Sequence, residues 1–136
     1  MRKTASIILG ASTTALLLGS LLTAPVSLAQ GSAPKSAVCD NKEAPPTDAV
    51  TMGGCVAIAR TKGNCQACHQ IAGIAHGDLA PPLVAMKQRF PDKAKLRAQI
   101  WDATAANPNS AMPPFGRHGI VSEKDVDNIV EWLLTL

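Results

Sequence analysis

Residues 63–71 read GNCQACHQI and set two of the chain's 4 cysteines and one of its 3 histidines in a short run, Cys65-Gln66-Ala67-Cys68-His69. Two thiols at this spacing can reach the vinyl groups on neighbouring edges of one porphyrin and form thioethers. The histidine that follows the second cysteine is then placed to offer a ring nitrogen to the iron. This is the attachment pattern of a c-type haem. A thioredoxin-like pair also uses C-x-x-C, but follows a strand, and no strand pattern precedes Cys65. A zinc site needs a second ligand pair, and Cys39 and Cys55 are too far apart in sequence to form one. A Cys65–Cys68 disulfide would leave His69 unexplained. The expected cofactor is therefore one covalent haem c.

The beginning of the chain agrees with that chemistry, because c-type haem is attached outside the cytoplasm. MRKT carries Arg2 and Lys3, a long uncharged run follows, and Ser27-Leu28-Ala29 has the small residues of a cleavage site. Residues 1–29 are expected to be a secretory signal peptide, removed after Ala29, with the periplasm as destination. Pro25 and the small-residue end argue against an uncleaved membrane anchor. No cysteine directly follows Ala29, which argues against a lipid anchor there.

With Arg2 and Lys3 gone, the 13 basic residues become 11 against 10 acidic ones, so there is no charge case for nucleic-acid binding. The chain is expected to be one small domain with an irregular N-terminal arm at 30–47, rich in Pro, Ser and Ala, and a main domain at 48–136. Tyrosine is absent, and Trp101, Trp132, Phe90 and Phe115 supply the aromatic bulk. Large aromatics commonly fill small cores, so a chain this poor in them suits an interior filled by a porphyrin.

The pattern is all-α, three to four short helices with two long loops. Asp48 can cap a helix running to about Lys62, in which Gly53 and Gly54 imply close approach of another element. After Pro91-Asp92 a helical stretch runs to Asn107, with Leu96, Ile100 and Trp101 on one face. Ser122 opens the last helix, with Asp125 in the capping-box position and Val126, Ile129, Val130 and Leu133 as its apolar face.

The second axial position has four downstream candidates, His76, Met86, Met112 and His118. His76 is too close to His69 to wrap around the porphyrin edge. Met112 sits in NSAMPPFG, a loop stiffened by two prolines, which suits presentation of a weak thioether ligand. His69 and Met112 are thus the expected iron ligands, with His118 in reserve. Pro81, in a rigid loop about a dozen residues after the motif, is a fitting source of the carbonyl that orients His69. Leu83 would pack on the ring.

CQACH, APPL and MPPFG, followed by a C-terminal helix with Trp132, resemble the layout of a class I cytochrome c. More narrowly, residues 63–133 resemble SoxX, the mono-haem subunit of the SoxAX cytochrome complex of sulfur-oxidising bacteria. NP-x-S-x-MPPFG is the most telling element. The resemblance implies a heterodimer with a SoxA-like cytochrome. That complex joins thiosulfate to a cysteine of the SoxYZ carrier with loss of two electrons, an L-cysteine S-thiosulfotransferase activity. Its catalytic haem lies on SoxA, so the resemblance implies no catalytic residue here, only relay of electrons to a soluble cytochrome c acceptor. Many class I cytochromes have Gly before the supporting proline; this chain has Ala80.

Cys39 and Cys55 lie upstream of the resembling segment. In an exported protein two such cysteines suggest a disulfide tying arm to first helix, worth about 3 kcal/mol; free or intermolecular thiols are the alternative. The rival functions are a mobile periplasmic cytochrome c shuttle and a haem protein with an open iron site.

Overall fold

The structure, a computed structural model, describes residues 31–136. The leader expected over residues 1–29 lies outside the described residues, as does Gln30. Among the described residues the elements are helical: α1 Ser36–Cys39, α2 Ala49–Ile58, a 3₁₀ turn Cys65–Ala67, α3 Met86–Arg89, α4 Lys93–Trp101, α5 Ala103–Ala106 and α6 Glu123–Leu133. Six α-helices stand where three or four were expected, because α1, α3 and α5 are single four-residue turns. The one strand-like feature among the described residues is an isolated parallel bridge between His69 and Ala80.

Helix α2 begins where Asp48 accepts a hydrogen bond from the Thr51 N–H at 2.8 Å. It stops at Ile58, short of the expected Lys62, because Ala59 takes an extended backbone. The carbonyl of Ala59 then accepts from the N–H groups of both Lys62 and Asn64, closing a tight turn. Helix α6 is capped by Ser122, whose hydroxyl accepts from the Asp125 N–H at 3.1 Å. Its predicted apolar face is buried: Val126, Ile129, Val130 and Leu133, joined by Trp132.

Helices α2 and α6 cross and form the main helix–helix contact of the fold. The two backbones touch at Gly53. A Cβ there would lie 1.9 Å from the Asn128 carbonyl oxygen, so no other residue fits. This is the close approach that the glycine pair implies, and it offsets the low helix propensity of glycine. Helix α4 lays Leu96 and Ile100 into the same core and is tied to α6 on the outside by the ion pairs Arg97–Asp127 and Lys93–Glu131. The stretch expected to be helical from Lys93 to Asn107 breaks at Asp102, which is extended (φ −157°, ψ 90°). Asp102 turns its carboxylate to cap Thr104 and to bind Arg117, and both need it out of helical register.

The N-terminal arm is irregular apart from the one turn of α1. It is strapped over the base of the α2–α6 pair. The Gly31 N–H donates to the Thr135 carbonyl, the Ala33 N–H to that of Ala72, and the Trp132 indole to that of Ser32. A Cys39–Cys55 disulfide, with Cα atoms 5.3 Å apart, fastens the arm to α2. No described helix is long and apolar enough to cross a membrane.

Candidate functional site

Beside the packed core, the loops that carry Cys65, Pro81 and Met112, with Gln99 of α4, line an open cleft of about 680 Å³. Protein interiors rarely tolerate voids larger than a water molecule, whereas ligand sites span roughly 300–1,000 Å³. Cys65, Cys68, His69, Pro81 and Met112 all line this cavity, along with Leu79, Gln99, Phe115 and Ile120. A smaller void beside it brings Leu83 together with His69 and Met112. The sequence thus spreads these residues over three loops, and the fold gathers them around one space.

Cys65 and Cys68 sit at the 3₁₀ turn that follows α2. Asn64, in the left-handed region at φ 47°, reverses the chain just before them. Asparagine tolerates that conformation better than most residues. The two thiols are unbonded, while Cys39 and Cys55 are paired. Burial pushes the Cys65 thiol up to about 11, with the neighbouring Cys68 adding to the shift. A neutral thiol is a poor nucleophile toward a disulfide, which keeps Cys65 out of exchange with its neighbours.

His69 is oriented by the loop that returns alongside it. The Gly77 N–H donates to the Gln66 carbonyl, that of Ala80 to Cys68 and that of Leu83 to Gln70, a short ladder that aligns the two segments. The His69 Nδ1 then lies 2.6 Å from the Pro81 carbonyl oxygen. A carbonyl can only accept, so Nδ1 carries the proton and Nε2 keeps its lone pair for a metal. Ala80 makes its ladder bond from ordinary backbone with φ below zero, so glycine is not required there. Arg89 secures the far side of the loop by donating to the Pro82 carbonyl at 2.7 Å.

Met112 is half-buried, and its N–H donates to the Ser110 hydroxyl. Its loop is docked on Trp101. The N–H groups of Gly116 and Arg117 both donate to the Trp101 carbonyl, and a Cβ at Gly116 would fall 2.0 Å from the indole ring. Arg117 also pairs with Asp102 at 2.9 Å. The Thr104 hydroxyl, and then Arg117, hold the Asp102 carboxyl below its usual range. The other candidates for the second axial position stand apart. Met86 is 3 % exposed in the core, and His76 and His118 lie on the surface away from the cavity.

These residues fit a haem c. Two free thiols, a histidine with a fixed tautomer and a thioether sulfur face one apolar space of suitable size. Sequence reasoning missed Gln99, Leu79 and Ile120. Leu79 is 83 % exposed and Ile120 41 %, both at the cavity. The available cue for Gln99 was its place at the edge of the Leu96–Ile100 stripe.

Residues 57–133 match the family described as cytochrome C oxidase, cbb3-type, subunit III. The crystal structure of SoxXA from P. pantotrophus superposes with a TM-score of 0.57 at 26% identity, covering 68% of this chain and 83% of that one. A protein of Aquifex aeolicus described as an uncharacterized lipoprotein is 32% identical over 74 residues, 53% of this chain. The chain spans 36% of that relative's length. The fold, the motif and the matched span together make the chain a member of the cbb3-type subunit III cytochrome c family, and a SoxX-like class I cytochrome with covalently bound haem c.

Proposed function

We propose that this chain is the electron-relay subunit of a SoxAX-type complex in the periplasm, with the segment before Gln30 removed as a signal peptide. Its partner is a SoxA-like cytochrome. The electrons come from oxidative coupling of thiosulfate to the SoxYZ carrier cysteine and leave to a soluble cytochrome c. The observation that carries this reading is the likeness to the P. pantotrophus SoxXA structure, which spans most of the matched chain.

Bound haem c supplies a one-electron couple. Cys65 and Cys68 hold it through thioethers, so the couple cannot dissociate. His69 gives Nε2 to the iron, while its Nδ1–H to Pro81 fixes the ring and strengthens its donation. Met112 would offer its thioether to the iron, and a thioether favours a higher potential than a second histidine would. With His69 and Met112 both holding the iron, substrate would find no open site there, and bond-making would fall to the partner. Leu83, which shares a small void with His69, would pack beside the ring. The exposed Leu79 and Ile120 form an apolar rim suited to a protein contact.

The test is native purification from the host periplasm with mass spectrometry of co-eluting haem proteins. The expected result is a one-to-one complex with a second cytochrome, reduced by thiosulfate only when SoxYZ is present. A lone monomer that thiosulfate never reduces would place the chain with the mobile shuttles instead.

A further inference from the structure

Helix α1 has little of its own to hold it. It is a single four-residue turn with no side-chain cap and no buried residue, and a helix this short is unstable alone in water. The arm does not need it as an anchor, because the residues ahead of it are already fixed. Gly31, Ser32 and Ala33 are hydrogen-bonded in turn to Thr135, Trp132 and Ala72, and Pro34 lies against Gly54. What α1 delivers is Cys39, to Cys55 in α2.

Cys55 has another thiol nearer to hand. Cys65 is ten positions along the chain, whereas Cys39 is 16 away. In an unstructured chain the shorter loop closes about two-fold more readily. The motif also folds back on the last turn of α2. The Gly63 N–H donates to the Val56 carbonyl, and the Gln66 amide to the Ile58 carbonyl at 2.7 Å. Yet Cys65 and Cys68 stay unbonded, and Cys55 is taken by the more distant partner.

We propose that Cys39 guards the haem motif: by pairing with Cys55 it removes that thiol from exchange with Cys65 and Cys68. A thioether forms when a thiol adds its S–H across a vinyl C=C bond, with no net loss of electrons. Cys65 and Cys68 must therefore arrive as thiols. The Cys39–Cys55 bond forms with loss of two electrons and two protons, taken up by a protein disulfide that leaves as a dithiol. The same oxidant could join Cys55 to Cys65, and a cysteine in that bond has no S–H to add. Chain order helps the guard, since a chain exported from its N-terminus presents Cys39 and Cys55 before Cys65. The proposal rests on export to an oxidising compartment.

The experiment exports the full chain, its Cys39→Ser variant and the Cys39→Ser, Cys55→Ser double variant. Haem per chain is read by absorbance, and cysteine pairing by mass spectrometry of unreduced digests. Both variants lack the disulfide, so a purely structural bond predicts equal loading. The guard predicts that Cys39→Ser loses at least about two-fold in loading, while the double variant stays at the wild-type level. Unloaded Cys39→Ser should carry Cys55 bonded to Cys65 or Cys68, and dithiothreitol in the growth medium should restore its loading. Equal loading of the two variants overturns the proposal. If the double variant does not accumulate, the reductant decides. Recovery of Cys39→Ser supports the guard, because a reductant cannot replace the stability of a lost bond, and no recovery overturns it. Free thiols at both Cys39 and Cys55 in the wild-type protein would overturn the export reading and the guard with it, a separate failure.

Discussion

The Nδ1 of His69 and the carbonyl oxygen of Pro81 are 2.6 Å apart across a parallel pairing of their two segments. The histidine ring is therefore aimed by backbone, which no side-chain substitution deletes directly. It can be loosened from behind. Arg89 grips the same loop through the Pro82 carbonyl, with a weaker reach to that of Val84. Arg89→Met should lower stability by about 1 kcal/mol and speed exchange of the His69 Nδ1 proton. Denaturant titration and NMR exchange check the two parts.

Gly116 bears on the loop that carries Met112. A methyl group there meets the Trp101 ring at 2.0 Å. Gly116→Ala should cost about 1–3 kcal/mol as the loop is forced off the indole, and Met112 moves with the loop. The expected result is a lower melting temperature together with carbon monoxide binding that the wild type resists.

Gly53→Ala tests the helix crossing. The added atom meets the Asn128 carbonyl, which is backbone and cannot rotate away. A loss of at least about 2 kcal/mol is expected, with haem still attached. Thermal unfolding followed at the haem band and in the far ultraviolet should show both transitions shifted together.

The Met112 loop should also be acid-sensitive. The Asp102 carboxyl is held below its ordinary value of 3.8 by Thr104 and Arg117. A carboxyl with a depressed value contributes stability above that ordinary value, and the contribution is lost as pH falls through the depressed one. The Arg117 tie should therefore outlast pH 3.8 and fail only as pH falls through the depressed value, where Met112 should be displaced more readily. Asp102→Asn should show the loosened behaviour already at neutral pH and lose this step of the acid titration. Imidazole displacement measured against pH reads both.

Removing the disulfide by Cys39→Ser and Cys55→Ser together should cost about 3 kcal/mol and leave the haem spectrum intact, because the bond lies on the arm and α2, away from the cavity lining. A changed spectrum would show that the strap reaches the site.

The chemistry was legible in the sequence because its determinants are local. Cys65 to His69 declare a haem motif by spacing, and the prolines around Met112 mark a loop that the fold brings to the same cavity. The α6 face was readable because Val126, Ile129, Val130 and Leu133 keep helical spacing against one neighbour. The helix ends were not. Asp102 looks like one more residue of a helix until Arg117, far along the chain, gives its carboxylate a reason to leave it. Ile58 looks interior to a helix until the Ala59–Asn64 turn has to deliver Cys65 to the cavity. The place of Gln99 in the cavity lining was invisible for the same reason, because it depends on which loop lies over α4, and periodicity carries no such information.

The crossing of α2 and α6 also imposes an order of events. One helix precedes the haem motif and the other closes the chain, and their contact at Gly53 and Asn128 cannot form until the last segment has been delivered. Contacts so distant in sequence form slowly, because a long loop must close before they stabilise anything. Until then the segment that carries Cys65 and Cys68 lacks the packing that the closed helix pair gives to its flank.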